Sequence, residues 1–462
     1  MEKNARGATG SLDMTAGSPY RLMIRFALPL MFSQIFQQFY NTADSLIVGN
    51  CLGTEELAAV SSSGPMIFLM VSFFEGVFLG AGVLISRYFG EKNENAVSRA
   101  VHTAFAVALA SGVFLTAVGI TLTPTLLKWI NTDPDVMPLA VSYFRVYFTG
   151  SMAFVLYSVS RGVMMAVGDS RRPLIYLIVS SLLNIALDLL FVKVFGWGVW
   201  AAALATVISQ IVSAALCLSR LLRKGGVVSL SIGKIRFHRD MLGRIIRYGL
   251  PSGVQNSVIS LANILVQSQI NIFGKYAMAA YGTHIKIEGF AFLPITSFNM
   301  AISTYIGQNL GAKKYDRAKT GARFGIISSV VLAGTVGVAY FFLAPHLFAL
   351  FDRTPQVIAY GVRQAQTIAL FYFILAYSHS VAAVCRGAGK AFVPMFVMLA
   401  VWCVFRIAYI FVVMNVFHDV GYVYMAYPIT WVISSVIYFI YYHASDWVHG
   451  FDREKQNKRS RT

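Results

Sequence analysis

Long apolar runs broken by short polar connectors dominate this chain. Twelve runs stand out, at roughly 20–48, 56–83, 95–122, 137–160, 173–195, 197–219, 247–270, 280–307, 323–344, 363–383, 391–414 and 421–443. Each has at least about 20 residues, enough for a helix to cross a hydrocarbon core about 30 Å thick. Backbone N–H and C=O groups find no water partners in lipid, so the runs are predicted to be helices. The pattern also occurs twice. Leu57-Ala58-Ala59-Val60 returns as Met278-Ala279-Ala280-Tyr281, and Gly90, Pro134, Gly168 and Pro173 return as Gly311, Pro355, Gly389 and Pro394, all 221 residues later. Ala27-Leu28-Pro29 returns as Gly249-Leu250-Pro251, 222 residues later. Such duplication in an apolar chain points to two related halves with a seam between them, as in secondary transporters. Six spans per half is an even number, so both halves start from the same side. The expected fold is an all-α polytopic membrane protein, with twelve transmembrane helices in two six-helix lobes related by a pseudo-two-fold axis along the membrane normal.

The longest polar interruption, 220–247, carries eight Lys or Arg and separates the sixth and seventh spans. The expected organisation is a first lobe over 1–222, a cytoplasmic linker over 223–246 and a second lobe with a basic tail over 247–462. Ile232, Ile235, Phe237 and Met241 would let the linker lie along a membrane surface; a plain linker is the alternative. Gly90 and Gly311 are expected to cap long helices in the left-handed region. Gly168 and Gly389 precede inner turns, and Pro173 and Pro394 open the helices that follow. Gly76-x-x-x-Gly80 and Gly321-x-x-x-Gly325 are spaced for close helix contact.

Composition supports the membrane reading. The chain is 57% hydrophobic and 13% charged, against about 25% charged in soluble domains. Its net charge of +18 invites a nucleic-acid reading, but the distribution argues otherwise. With the amino terminus in the cytoplasm, 30 of the 38 Lys and Arg fall on the inner side, and the outer loops hold only Lys128, Lys193, Lys275, Arg353 and Arg363. That split obeys the positive-inside rule and leaves the basic loops as topology signals and anionic-lipid contacts. Cys51, Cys217, Cys385 and Cys403 have no metal or redox spacing and read as small apolar packing residues. The polar start of the chain has no cleavage-site pattern, so the first span is expected to remain as an anchor.

Ionisable groups inside a bilayer are costly, which makes each a candidate for function. The first span carries Gln34, Gln37, Gln38, Asn41, Asp44 and Ser45 as one polar stripe. The seventh repeats it with Asn256, Ser260, Asn263 and Gln267, but Val266 stands where Asp44 would recur. Asn184 and Asp188 share a face of the fifth span, and Thr206 lies on the sixth. Two carboxyls, an amide and a hydroxyl are hard oxygen donors, suited to a small hard cation or a shared proton. Pro29 weakens the backbone ladder of the first span, as a hinge or a static kink. In the second half, His284 and Glu288 are four residues apart, Lys286 lies between them, and Arg406 sits deep in the eleventh span. Arg406 with Glu288 reads as a buried structural pair; Glu75 or Glu288 attracting a cationic substrate is the competing reading. His102 and His379 are expected to be hydrogen-bonded helix contacts, and Arg145 to snorkel.

No phosphate-binding loop, His-Glu-x-x-His or Gly-x-Ser-x-Gly is present, which argues against an ATP-driven pump and against an enzyme. Together, Leu28-Pro29, the Asp44 stripe, Leu57-Ala58-Ala59-Val60, Ser86-Arg87-Tyr88-Phe89-Gly90, Gly168-Asp169-Ser170-Arg171-Arg172-Pro173 and Gly307-Gln308-Asn309-Leu310-Gly311 resemble the multidrug and toxic compound extrusion (MATE) family over nearly the whole chain. The resemblance implies two six-helix lobes around a central cavity in a bacterial cell membrane, with both termini cytoplasmic. It implies an antiporter that takes in Na+ or H+ and exports amphipathic, often cationic, compounds, with no other cofactor; one protomer looks self-sufficient, so a monomer is expected. It places the coupling cation or proton on the residues matching Asp44, Asn184, Asp188 and Thr206, and bending on Pro29. Gln34, Gln37, Asn41, Glu75, Asn256, Asn263 and Glu288 are the candidates to line the substrate cavity. One family branch also uses acids on the seventh and tenth helices. Here the seventh span has none and the tenth offers His379, so a second-lobe cation site would fall to Glu288. A flippase for a lipid-linked or polysaccharide substrate is the nearest rival, disfavoured by the few intramembrane cations, Arg406, Lys286 and Arg145. A membrane enzyme or non-transporting scaffold is the rival from another class.

Overall fold

A computed structural model describes residues 12–449 apart from 53, 130–131 and 224–227, and excludes the side chains of 45, 46, 50, 54, 55, 57, 58, 61–66 and 69. The Ser45 member of the stripe, Leu57 and Ala58 of the repeated motif, part of the linker and the basic tail therefore lie outside the described side chains and residues. The described chain is all-α. Six helical rods form the first half: α1 (Pro19–Cys51), α2 (Thr54–Gly90), α3 (Glu94–Trp129), α4 (Met137–Thr149 and Ser151–Ala166), α5 (Arg171–Asp188, continuing as a π-helical turn Leu189–Val194) and α6 (Trp200–Leu222). The second half repeats the order with α7 (Arg239–Asn271), α8 (Lys275–Ala291 and Leu293–Gly311), α9 (Tyr315–Phe351), α10 (Pro355–Ile368 and Tyr372–Gly387), α11 (Phe392–Met398, a π-helical stretch Leu399–Phe405, and Arg406–Val416) and α12 (Val420–Ala444).

All twelve predicted runs fall on these rods. By length and composition alone, eight rods qualify as membrane spans among the described residues, or nine with α4, which bends by 47°. α1, α7 and α8 are long enough but too polar, because their Gln, Asn, Asp, His and Glu positions dilute the apolar windows. The structure divides into two compact units. One comprises Met1–Asp13 with Leu28–Leu250, the other Met14–Ala27 with Pro251–Thr462. Chain membership thus changes between Ala27 and Leu28 in α1 and between Leu250 and Pro251 in α7, within one residue of the same place in the repeat.

The duplicated loops are duplicated in geometry. Gly168 and Gly389 take φ of 87° and 75°, and each helix end closes with a six-residue bond, Asp169 N–H to Met164 O at 2.9 Å and Lys390 N–H to Cys385 O at 2.8 Å. This is the Schellman geometry, in which the left-handed residue favours glycine. Gly90 and Gly311 do not play that part. The left-handed residues are Lys92 and Lys313, at φ of 54° and 56°, because α2 and α8 unwind over one further turn, with Asn93 N–H bonding Tyr88 O and Lys314 N–H bonding Asn309 O. The small-residue spacings do bring helices together. A methyl group at Gly80 would collide with the Gly249 backbone, and methyls at Gly321 and Gly325 with the side chains of Tyr305 and Ile302.

Candidate functional site

In the first unit, α1, α5 and α6 contribute to an apolar cluster that includes Val48, Val192 and Ala201–Ala203 together with Phe144 and Phe148 of α4. The same three helices carry the polar residues the sequence singles out. Asn184 and Asp188 are fully buried and Thr206 is 5% exposed. The carboxyl groups of Asp44 and Asp188 lie within hydrogen-bonding reach of each other. A bond between two carboxyls requires a proton on one of them, since an ionised carboxylate only accepts. Oδ1 of each acid is buried and has no amide, hydroxyl or backbone partner.

Asn184 lies against this pair. With its amide nitrogen toward Asp188 it donates to Oδ2 at 2.9 Å, while its oxygen accepts from the Thr206 backbone N–H at 3.2 Å. Turned over, Nδ2 reaches Thr206 Oγ1 at 3.5 Å and the amide oxygen faces the carboxyl. The first orientation suits an ionised Asp188; the second needs a proton or a cation between the two oxygens. Two carboxyls, an amide that can present its oxygen and a hydroxyl match a small hard cation, and the two orphaned Oδ1 atoms are the positions such a cation would satisfy.

Three tyrosines complete the site and were not singled out from sequence. Tyr40 lies within hydrogen-bonding reach of Thr206 and electrostatic reach of both acids. Its signal was available, since position 40 is one helical turn before Asp44. Tyr143 and Tyr147 of α4, stacked at 6.3 Å, lie within reach of Asp44. Only tertiary packing brings α4 here, so nothing local marked them. The π-helical turn begins directly after Asp188, and such turns recur at functional sites because they re-aim side chains.

The other candidates divide between the units. In the first, Gln37, Tyr40, Glu75, Tyr157, Asn184 and Thr206 are among the residues lining a cavity of about 60 Å³. Glu75 is not a lone anion, since Arg161 Nη2 donates to it at 2.9 Å. Gln34 is half-buried and Asn41 exposed.

In the second unit, the expected Arg406–Glu288 pair is not what forms. Arg406 is fully buried between the Trp402 and Tyr427 rings, at 4.8 and 4.7 Å. It donates to Thr430 Oγ1 at 2.8 Å and to Asn263 Oδ1 at 3.5 Å. Glu288 instead accepts from Tyr372 at 3.3 Å and faces His284 Nε2 at 3.7 Å. Asn256 is half-buried on α7. His102 makes the expected hydrogen bonds, to Ser98 O and from Ser231 N–H. His379 contacts the Phe292 and Trp402 rings, and its Nε2 has no partner.

The MatE family pattern matches residues 29–190 and again 251–412, each stretch beginning at one of the paired prolines. The chain is 28% identical over 435 residues to the probable multidrug resistance protein YoeA of Bacillus subtilis (strain 168), covering 92% of this chain and 94% of that protein. It is 28% identical over 391 residues to the probable multidrug resistance protein NorM of Thermotoga maritima, covering 82% of each. A crystal structure of MATE in complex with MaL6 superposes with a TM-score of 0.87 at 22% identity, over 97% of this chain and 99% of that one. A MOP superfamily transporter from Pyrococcus furiosus, described as having a binding pocket of reversed polarity, superposes with a TM-score of 0.87 at 23% identity, over 93% and 96%. At these identities the superpositions establish a shared fold. The family pattern, met once in each half of the duplicated chain, establishes more: this protein belongs to the MatE family.

Proposed function

We propose that this protein is a secondary active multidrug exporter of a bacterial cell membrane and not an enzyme, with Asp44, Asp188, Asn184 and Thr206 as its ion-coupling site. The observation that carries the reading is the approach of the Asp44 and Asp188 carboxyls to each other, with a buried Oδ1 on each that no amide, hydroxyl or backbone group satisfies. A site of this kind has two states. With the shared proton in place the pair carries one negative charge, and a second proton or an Na+ ion neutralises it. Losing that neutralising ion leaves a charge in a water-poor interior, which is costly, so loaded and empty forms favour different surroundings. The Asn184 amide responds locally, presenting nitrogen to an ionised Asp188 and oxygen to a protonated or cation-bound one. Alternating access follows when the ion and the substrate bind the two lobe arrangements with different affinity.

The unit boundaries at Ala27–Leu28, one residue before Pro29, and at Leu250–Pro251 support Pro29 as a hinge, since proline removes a ladder bond there. Gln34, Gln37, Asn41, Glu75, Asn256, Asn263 and Glu288 offer amide and carboxylate contacts to amphipathic, often cationic, compounds. Both termini are cytoplasmic and the monomer carries a complete path in this reading. A lipid-phosphate flippase is disfavoured, because Arg406 is fully buried and enclosed by two rings, and Arg161, which lines the first-unit cavity, is paired with Glu75. The test is dye efflux from proteoliposomes under an imposed Na+ gradient and, separately, an imposed pH gradient. Efflux driven by at least one gradient supports the proposal; efflux indifferent to both contradicts it.

A further inference from the structure

A second polar centre lies away from the coupling site, where the linker crosses the start of α3. The linker is pinned there by two imidazoles. His102 receives the Ser231 backbone N–H at Nε2 (3.1 Å) and bonds Ser98 O through Nδ1 (2.6 Å). His238 receives Arg236 Nε at Nε2 (3.1 Å) and bonds Thr103 Oγ1 through Nδ1 (3.0 Å). Each ring therefore accepts at one nitrogen and donates from the other, which makes both neutral. Between them is a cavity of about 330 Å³, whose lining includes Arg99, Lys234 and Arg236. That volume is within the range of small-ligand sites, about 300–1,000 Å³. Asp240, paired with Arg99, is the one carboxylate among the groups acting on His238, so three fixed cations face a single anion.

The surroundings give the ligand a second property. Ile232 and Phe237 flank Lys234 and Arg236 along the linker and are 71% and 56% exposed. α3 has 36 residues, about 54 Å of helix at about 1.5 Å per residue. That exceeds a hydrocarbon core of about 30 Å, so the two ends of α3 project into the headgroup zone. Arg99 and His102 are within the first three turns.

We propose that this pocket binds the phosphate of an anionic phospholipid, with Arg99, Lys234 and Arg236 holding the headgroup and Ile232 and Phe237 lying against its acyl chains. Basic pockets at this depth suit phosphate headgroups, and the two exposed apolar side chains favour a tethered phosphate over a free one. The inference needs only the membrane-embedded fold and is independent of the coupling site. A pH dependence supports it. Burial, then Arg236 and Arg99, hold the His238 imidazole below its ordinary range; Asp240 opposes them and His102 adds to them. A bound phosphate offsets that crowding and lets His238 take a proton, so binding strengthens as pH falls.

The test is native mass spectrometry of the full-length protein titrated with phosphatidylglycerol, phosphatidylcholine or inorganic phosphate. The wild type should retain phosphatidylglycerol over phosphatidylcholine, more tightly at lower pH. Lys234→Gln/Arg236→Gln should weaken that retention about 30-fold, the scale of two interfacial cations. Ile232→Ser/Phe237→Ser should weaken it too, while leaving inorganic phosphate binding as in the wild type. All four positions are exposed, and matching elution and melting profiles verify folding; if the charge pair is poorly folded, Lys234→Gln alone carries the comparison. Retention unchanged in both variants overturns the proposal. Displacement of the lipid by an equal concentration of inorganic phosphate overturns the lipid assignment and leaves a free-phosphate site.

Discussion

Replacing Asp44 by asparagine should uncouple transport without unfolding the protein. In the proposed coupling site Asp44 and Asp188, within hydrogen-bonding reach of each other, share one proton, so the pair would carry one negative charge that one monovalent cation neutralises. One charge moved across 100 mV supplies about 2.3 kcal/mol, which sustains about a 50-fold gradient of an uncharged substrate. In Asp44→Asn an amide hydrogen takes the place of the exchangeable proton and cannot leave. Asp188 then accepts from a second amide besides Asn184, so the oxygens that would receive the ion are engaged. The substitution is nearly isosteric, so the thermal midpoint should barely move while the gradient falls from about 50-fold per 100 mV to near unity. The assay is fluorescent-substrate accumulation in proteoliposomes with matched protein content, an imposed potassium diffusion potential and an imposed gradient of the coupling ion. Ion-driven accumulation by Asp44→Asn at the wild-type level would refute the reasoning.

Further outcomes follow from other contacts. Thr206→Val keeps the shape but removes the hydroxyl partner of Tyr40. Stranding a buried polar group costs about 1–3 kcal/mol, so the apparent affinity for the coupling ion should fall about tenfold or more in an efflux titration; unchanged ion dependence would contradict this. Gly80→Val and Gly249→Val each drive a side chain into the other helix's backbone, so both should lower yield and melting temperature. Gly243→Ala on the same α7 meets nothing within 4 Å and should stabilise by about 0.5–1 kcal/mol through helix propensity. A membrane-impermeant maleimide added outside should label Cys51, which is exposed, and spare the buried Cys217, Cys385 and Cys403; labelling only in inverted vesicles would reverse the assigned orientation.

Much of the fold was legible because it follows from one-dimensional rules. Apolar length fixed the twelve rods, and the 221-residue repeat predicted paired turns at Gly168 and Gly389. The misses have a common cause. Gly90 and Gly311 looked like left-handed caps, but the helices unwind one turn later, and Lys92 and Lys313 adopt that conformation. A local pattern does not say which residue of a turn reverses the chain. Asp44, Asn184, Asp188 and Thr206 were legible because polar groups in apolar runs are costly enough to be conspicuous. Tyr143 and Tyr147 were not, since tyrosine is unremarkable in a membrane helix and only the packing of α4 brings them near Asp44. Arg406 was conspicuous, but its partners were misjudged. Two aromatic rings and a threonine hydroxyl enclose it, and electron-rich rings can stabilise a desolvated cation without a carboxylate. The π-helical turns after Asp188 and before Arg406 have no sequence signature that separates them from ordinary helix.

The most direct test is infrared difference spectroscopy of the reconstituted protein on adding a transported dye, with the wild type compared against Asp44→Asn and Asp188→Asn. The account requires a protonated-carboxyl band in the wild type that changes when substrate binds and disappears in both variants, because one proton is held by two acids together. The same band, still responding to substrate in either variant, would show that the coupled proton resides elsewhere.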